Sequence, residues 1–198
     1  MISLFINLIL AVSTAICIGL EARKASMPVV LRYFTSLSNI YCGIAGAILV
    51  LFRALELAGA IARIPLWVLL VRYSATAAVT VTFLTVMFFL GPVVVGYKPL
   101  LTKTGLWTHL LNPVLAVVSL LIWDKPEGGF WIVLFGLLPV VLYGVFYLYR
   151  VVLEPKRKGP EAGWEDFYGF NHGGKWPLSF SAMMVGGFLV SLLLWVVG

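Results

Sequence analysis

The chain has 198 residues, 62% of them hydrophobic and only 11% charged, with a mean hydropathy of +1.04. That balance is too apolar for a water-soluble domain of this length and marks an integral membrane protein. The formal charge of +6 would point to nucleic acid in a soluble protein; beside apolar runs it sets membrane topology instead, and no nucleic-acid partner is expected.

Apolar runs near the ~20 residues a spanning helix needs recur at 2–20, 33–57, 67–90, 106–123, 130–149 and 179–197. They are continuous and lack the alternation that a transmembrane barrel requires. The expectation is an all-α membrane protein in which residues 1–198 form a single bundle of about six transmembrane helices. The first run carries Ser13, Thr14 and Ala15 but no basic leading region, so it reads as a retained helix and not as a signal peptide. Cys17 and Cys42 fall inside spans and read as small buried hydrophobes.

The second run opens on Arg32-Tyr33-Phe34-Thr35-Ser36-Leu37-Ser38-Asn39. Thr35, Ser38 and Asn39 stand at i, i+3 and i+4, which puts three polar side chains on one helical face. Two readings stay open: local bonds to the helix's own carbonyls, or a reactive hydroxyl at the mouth of a lipid-accessible pocket. Further on, Cys42, Gly43, Gly46 and Ala47 are small enough for a neighbouring backbone to approach closely. Arg53 and Glu56, at i and i+3, are expected to pair or snorkel.

The third run holds Thr76, Thr80, Thr82 and Thr85 and is expected to stop at Gly91-Pro92. The fourth begins with Trp107-Thr108-His109-Leu110-Leu111-Asn112-Pro113. His109 and Asn112 share a face, and Pro113 frees a backbone carbonyl one turn earlier. A histidine in a membrane helix is a functional candidate, the alternative being an interfacial His held by a loop carbonyl. Asp124 to Gly129 reads as a polar turn. The fifth run contains Pro139, expected to kink it, and ends in Tyr143, Tyr147 and Tyr149, read as an interfacial aromatic belt.

Residues 151–178 are the one soluble-like stretch. They are expected to form an interfacial flap carrying Trp164, Phe170, Asn171, His172 and Trp176 as substrate-facing residues, or else an ordinary cap. Ten of the fourteen Lys and Arg residues lie in the first, third and fifth connections. The bias places those connections in the cytoplasm and both termini outside.

The second, fourth and sixth helices all start from the side carrying the odd-numbered connections. Thr35, His109 and the Asn171/His172 pair therefore reach one face of the membrane whatever the helix order. A hydroxyl and an imidazole at one depth are the minimum for nucleophilic acyl transfer. Asn39, Asn112 or unpaired amides at a helix start would serve the developing oxyanion. With only His109 and His172 present, and no His-carboxylate spacing on one helix face, no metal is expected, and no positive feature points to another cofactor.

The stretch Tyr33-Phe34-Thr35 with Ser38-Asn39, the proline-containing start of the His109 helix, and the aromatic-rich segment before the last span resemble a known family over nearly the full length. These are the androgen-induced and androgen-dependent TFPI-regulating membrane proteins with their bacterial relatives, small polytopic hydrolases whose animal members cleave fatty acid esters of hydroxy fatty acids. The resemblance implies Thr35 as nucleophile and His109 as its histidine, with Ser38 and Asn39 in the surrounding motif. It implies a lipid or long-chain fatty acyl ester as substrate and the bilayer as the working environment. Two other classes stay open: a small-solute transporter, and a non-catalytic membrane scaffold in which Thr35 and His109 are far apart and separately satisfied.

Overall fold

A computed structural model describes all of residues 1–198. It is helical with no strand. Six helices are long and apolar enough to cross a membrane: α1 Ile2–Ala25, α2 Phe34–Leu57, α3 Leu66–Val95, α4 Thr104–Asp124, α5 Ile132–Lys158 and α6 Trp176–Val197. The protein is therefore a multi-pass α-helical membrane protein.

Several helices outrun their apolar cores, because charged residues can stay helical while their heads reach water. At the end of α5, residues 151–158 are helical and do not belong to the flap. Glu154 there is bonded by Arg150 one turn before it and by Lys158 one turn after it, an i, i+4 ladder that carries the helix past the apolar run. Since α6 begins at Trp176, the irregular flap is 159–175.

Gly91-Pro92 does not stop α3, which continues to Val95 in the wider winding of a π-helix from Val86. In a π turn a carbonyl pairs with the N–H five residues on. Pro92 has none, so the Met87 carbonyl is left over and takes the Tyr97 hydroxyl at 2.7 Å. The same device recurs in α4, where Trp107–Leu111 is π-wound and Pro113 leaves the Thr108 carbonyl free for a side chain from another helix.

The central helix is α3, which packs on α2, α4, α5 and α6, while α1 packs on α2 and α4. Every residue from Arg72 to Val79 is buried, as a helix surrounded by neighbours must be. Close approach of α1 and α2 depends on the small residues. A Cβ on Gly43 would lie 2.8 Å from Thr14 Cβ, and one on Gly46 would lie 2.9 Å from the Asn7 carbonyl oxygen. Outward, large side chains such as Phe5, Phe88, Leu142 and Leu193 are exposed on the bilayer-facing surface.

Two charged residues are held inside the bundle. Asp124, expected in a polar turn, ends α4 and is fully buried, with four donors around it. Ser3 Oγ at 2.7 Å, Ser119 Oγ at 2.5 Å, Asn7 Nδ2 at 3.1 Å and Arg53 Nη2 at 3.0 Å all reach its carboxylate. Arg53 also pairs with Glu56 at 2.7 Å, as the spacing predicts. The cluster ties α1, α2 and α4 together at the face opposite the odd-numbered connections. Arg72 is equally buried but has no acid partner. Its guanidinium donates to Thr76 Oγ1 at 2.9 Å, the Ala116 carbonyl at 3.3 Å and Cys42 Sγ at 3.6 Å, with Nε unpaired.

Candidate functional site

A chamber of about 670 Å³ lies at the face that carries the odd-numbered connections, hereafter the basic face. Its wall takes Phe34 and Thr35 from the first turn of α2, residues between Val81 and Leu90 from α3, and Val140, Tyr143 and Tyr147 from α5. Tyr168, Gly169 and Phe170 of the flap close one end, and α6 supplies residues from Ser179 to Val190. The volume falls in the range of about 300–1,000 Å³ usual for small-molecule sites.

Thr35 stands in this wall with its hydroxyl free of any hydrogen-bond partner. The groups beside it are committed. Ser38 Oγ reaches the Thr35 carbonyl at 3.1 Å and Thr82 Oγ1 at 2.8 Å. Asn39 Nδ2 donates to the Thr35 carbonyl at 2.9 Å and to the Thr108 carbonyl at 3.0 Å, which uses both of its hydrogens. The Thr108 carbonyl is the one that Pro113 leaves over. Asn112 Nδ2 then donates to Asn39 Oδ1 at 3.0 Å and Thr14 Oγ1 at 3.4 Å, and its Oδ1 accepts from Ser13 Oγ at 2.8 Å.

These bonds alter the expected roles. Neither Asn39 nor Asn112 has an N–H left for an oxyanion. They form a buried chain of amides that joins the residue next to His109 to the turn bearing Thr35. The free donors are backbone groups at the start of α2. Phe34 N–H is taken by the Tyr168 hydroxyl at 3.1 Å and Leu37 N–H by the Tyr33 carbonyl at 3.1 Å. The amides of Thr35 and Ser36 have no acceptor, as the geometry of a helix start dictates.

His109 is half-buried on the first turns of α4. Its Nδ1 lies 2.6 Å from the Leu100 carbonyl oxygen. Since a carbonyl only accepts, Nδ1 carries the proton and Nε2 keeps its lone pair in the neutral ring. Gly105 makes this possible, because a Cβ there would collide with that same carbonyl. The group that orients the imidazole is therefore a carbonyl of the preceding connection, the contact that the alternative reading of His109 expected. His109 is not part of the chamber wall, and no hydrogen bond joins it to Thr35.

Of the five flap residues expected to face substrate, only Phe170 lines the chamber. Trp164 lies between the guanidiniums of Arg32 and Arg150, 5.6 and 5.1 Å from its ring. Asn171 offers its amide to Asp166 Oδ2 at 2.7 Å, His172 is exposed, and Trp176 packs beside the tyrosine cluster. Tyr168 and Gly169 were missed. Burial pushes the Tyr168 phenol above its ordinary range, against the opposing pull of the Phe34 amide, so it stays protonated at neutral pH. Tyr143 and Tyr147 are not an interfacial belt either. Both are buried, with hydroxyls donating to the Arg32 carbonyl at 2.8 Å and Asp166 Oδ1 at 3.2 Å. Their rings pack under the flap, and their polar tips find partners in two connections of the basic face, the one before α2 and the flap.

No family model, curated protein or solved structure matches this chain.

Proposed function

We propose that the protein is an intramembrane hydrolase of lipid esters, with fatty acid esters of hydroxy fatty acids or related acyl esters as substrates. The observation that carries this reading is the Thr35 hydroxyl, unpaired in the wall of an apolar chamber beside two unpaired backbone amides. Thr35 Oγ1 attacks the ester carbonyl and its proton passes to His109 Nε2. The Thr35 and Ser36 amides receive the oxyanion. Collapse expels the alcohol, which takes the proton from His109, and leaves an acyl-threonine. Water then attacks that ester with His109 again as base, releasing the fatty acid and restoring Thr35.

In this mechanism Asn39 and Asn112 position the two helices and Leu100 holds the His109 tautomer. Proton transfer needs His109 Nε2 within reach of Thr35, directly or through one water; no hydrogen bond joins the two here, so the reading requires them to be brought into contact when substrate binds. The basic face is placed in the cytoplasm and both termini outside, following the excess of Lys and Arg; protease access to an N-terminal tag on intact cells checks this, and protection of the tag overturns it.

The test is ester cleavage by purified protein on a synthetic branched fatty acid ester. Thr35→Ala is expected to lose activity to background, and His109→Ala to lose about 10²- to 10⁴-fold. Undiminished turnover in both variants, or none in the wild type, removes the reading.

A further inference from the structure

The chamber is open on one side, and the side matters. Its back and deep end are buried: Thr82, Val86, Val140 and Val190. On the opposite side the lining residues are Phe89 of α3 and Ala182, Gly186 and Leu189 of α6, and all four are exposed. Around them the two helices expose further large apolar groups, Phe88 and Val93 on α3 and Val185 and Leu193 on α6. An exposed apolar surface on two spanning helices faces hydrocarbon, so the opening gives onto the bilayer.

The end towards water is covered instead. Tyr168, Gly169 and Phe170 lie across it. Asp166 pins them, accepting from the Phe170 amide at 2.8 Å, the Asn171 amide at 2.7 Å and the Tyr147 hydroxyl at 3.2 Å.

Local sequence explains the gap. Adjacent glycines on α6 do opposite things: a Cβ on Gly187 would sit 3.0 Å from Val140 Cγ1, whereas one on Gly186 would meet nothing within 4 Å. Gly187 seats α6 on α5, and Gly186, with Ala182 one turn before it, leaves no side chain to close the edge towards α3. On the α3 side the π winding from Val86 carries Phe89 and Leu90 at the margin.

The lining is also graded along its length. Thr35, Tyr143, Tyr168 and Ser179 gather at the flap end, Thr82 and Thr85 of α3 add two hydroxyls, the first of them bonded to Ser38, and Val81, Val140, Leu189 and Val190 line the rest. From Ser179 to Val190 the helix rises roughly 16 Å, which suits an extended chain with one polar end.

We propose that the chamber is loaded sideways from the bilayer, between α3 and α6 through the edge framed by Phe89, Ala182, Gly186 and Leu189, and holds one hydrocarbon chain of a membrane lipid with its polar end beneath the flap. The role of Thr35 at that polar end rests on the hydrolase reading; the route itself does not. A chain already in hydrocarbon crosses this edge without leaving an apolar medium, whereas a water-borne solute would have to displace the flap.

The experiment uses full-length protein in phosphatidylcholine nanodiscs containing a trace of a long-chain fatty acid with a photoreactive diazirine near its methyl end. Labelled peptides are expected from the Val81–Leu90 part of α3 and the Ala182–Val190 part of α6. Gly186→Trp, which fills open space and leaves the fold intact, is expected to cut that labelling about tenfold. Gly19→Trp, at another glycine with nothing within 4 Å, is expected to label as wild type. Labelling of Gly186→Trp at the wild-type level, or labels spread evenly over all six helices, overturns the proposal. Thr35→Ala separates it from the hydrolase reading. Gly186-dependent labelling that persists in Thr35→Ala and in a wild type that cleaves no ester keeps the side entry and removes the hydrolase; cleavage with Gly186-independent labelling does the reverse.

Discussion

The two faces of the bundle treat polar groups in opposite ways. At one, Asp124 gathers Ser3, Asn7, Ser119 and Arg53, and only Asn7 Oδ1 and Arg53 Nε lack partners. At the other, the Thr35 hydroxyl and the amides of Thr35 and Ser36 are left unpaired at the wall of a chamber. A nearly saturated cluster stabilises a fold, because each group already has what water would have offered. An unsaturated one retains capacity for a ligand. Charge and burial alone would have ranked them the other way, since Asp124 is a fully buried carboxylate and Thr35 a neutral, half-buried hydroxyl.

Substitutions sharpen that contrast, the largest first. Thr35→Ala should lower ester cleavage at least about 10³-fold, equivalent to roughly 4 kcal/mol of barrier. Its resistance to unfolding in mixed detergent should stay within about 0.5 kcal/mol of wild type. Asp124→Ala should show the converse. Removing the carboxylate strands Arg53 and three other donors, so stability should fall by about 3 kcal/mol, with activity per folded molecule retained. Should Asp124→Ala fold normally and lose turnover, the assignment of the two faces is inverted.

Asn39→Ala tests the brace between the starts of α2 and α4 on the chamber's face. It leaves the Thr108 carbonyl and one N–H of Asn112 without partners at a cost of about 2 kcal/mol. As a positioning change it should lower kcat and leave KM within about twofold; a rise in KM alone would place Asn39 in substrate binding. The smallest effect is expected from Tyr168→Phe, which deprives the Phe34 amide of its acceptor for about 1 kcal/mol and loosens the flap. Hydrogen exchange of the Phe34 amide should rise in that variant, and unchanged protection would mean that the flap is held by its aromatic contacts alone.

Much of the architecture was legible in the residues. Continuous apolar runs locate six spans because a bilayer imposes one length on every crossing. The small residues around Gly43 and Gly46 announced a close approach by some neighbouring helix, which the structure shows to be α1, and the spacing of Arg53 and Glu56 their pairing. Span ends were legible only coarsely, since the Arg150–Glu154–Lys158 ladder extends α5 beyond its apolar core. The halt expected at Gly91-Pro92 failed because a π turn can shed a proline's missing bond onto a tyrosine from the next segment.

For the site, the sequence by itself determined which residues had chemistry to offer and on which membrane face they would arrive: Thr35 from the start of α2 and His109 from the start of α4. Helical periodicity and the alternation of crossings are local properties, so a single chain suffices to read them. Only the tertiary structure decided which hydrogens were already spent. Asn39 and Asn112 turned from expected donors into braces, the Leu100 carbonyl took His109 Nδ1, and Tyr168 and Gly169 joined Phe170 in the chamber in place of Asn171 and His172. Those outcomes depend on partners from 4 to 134 residues away, and a hydrogen-bond inventory closes only when every such partner is in place.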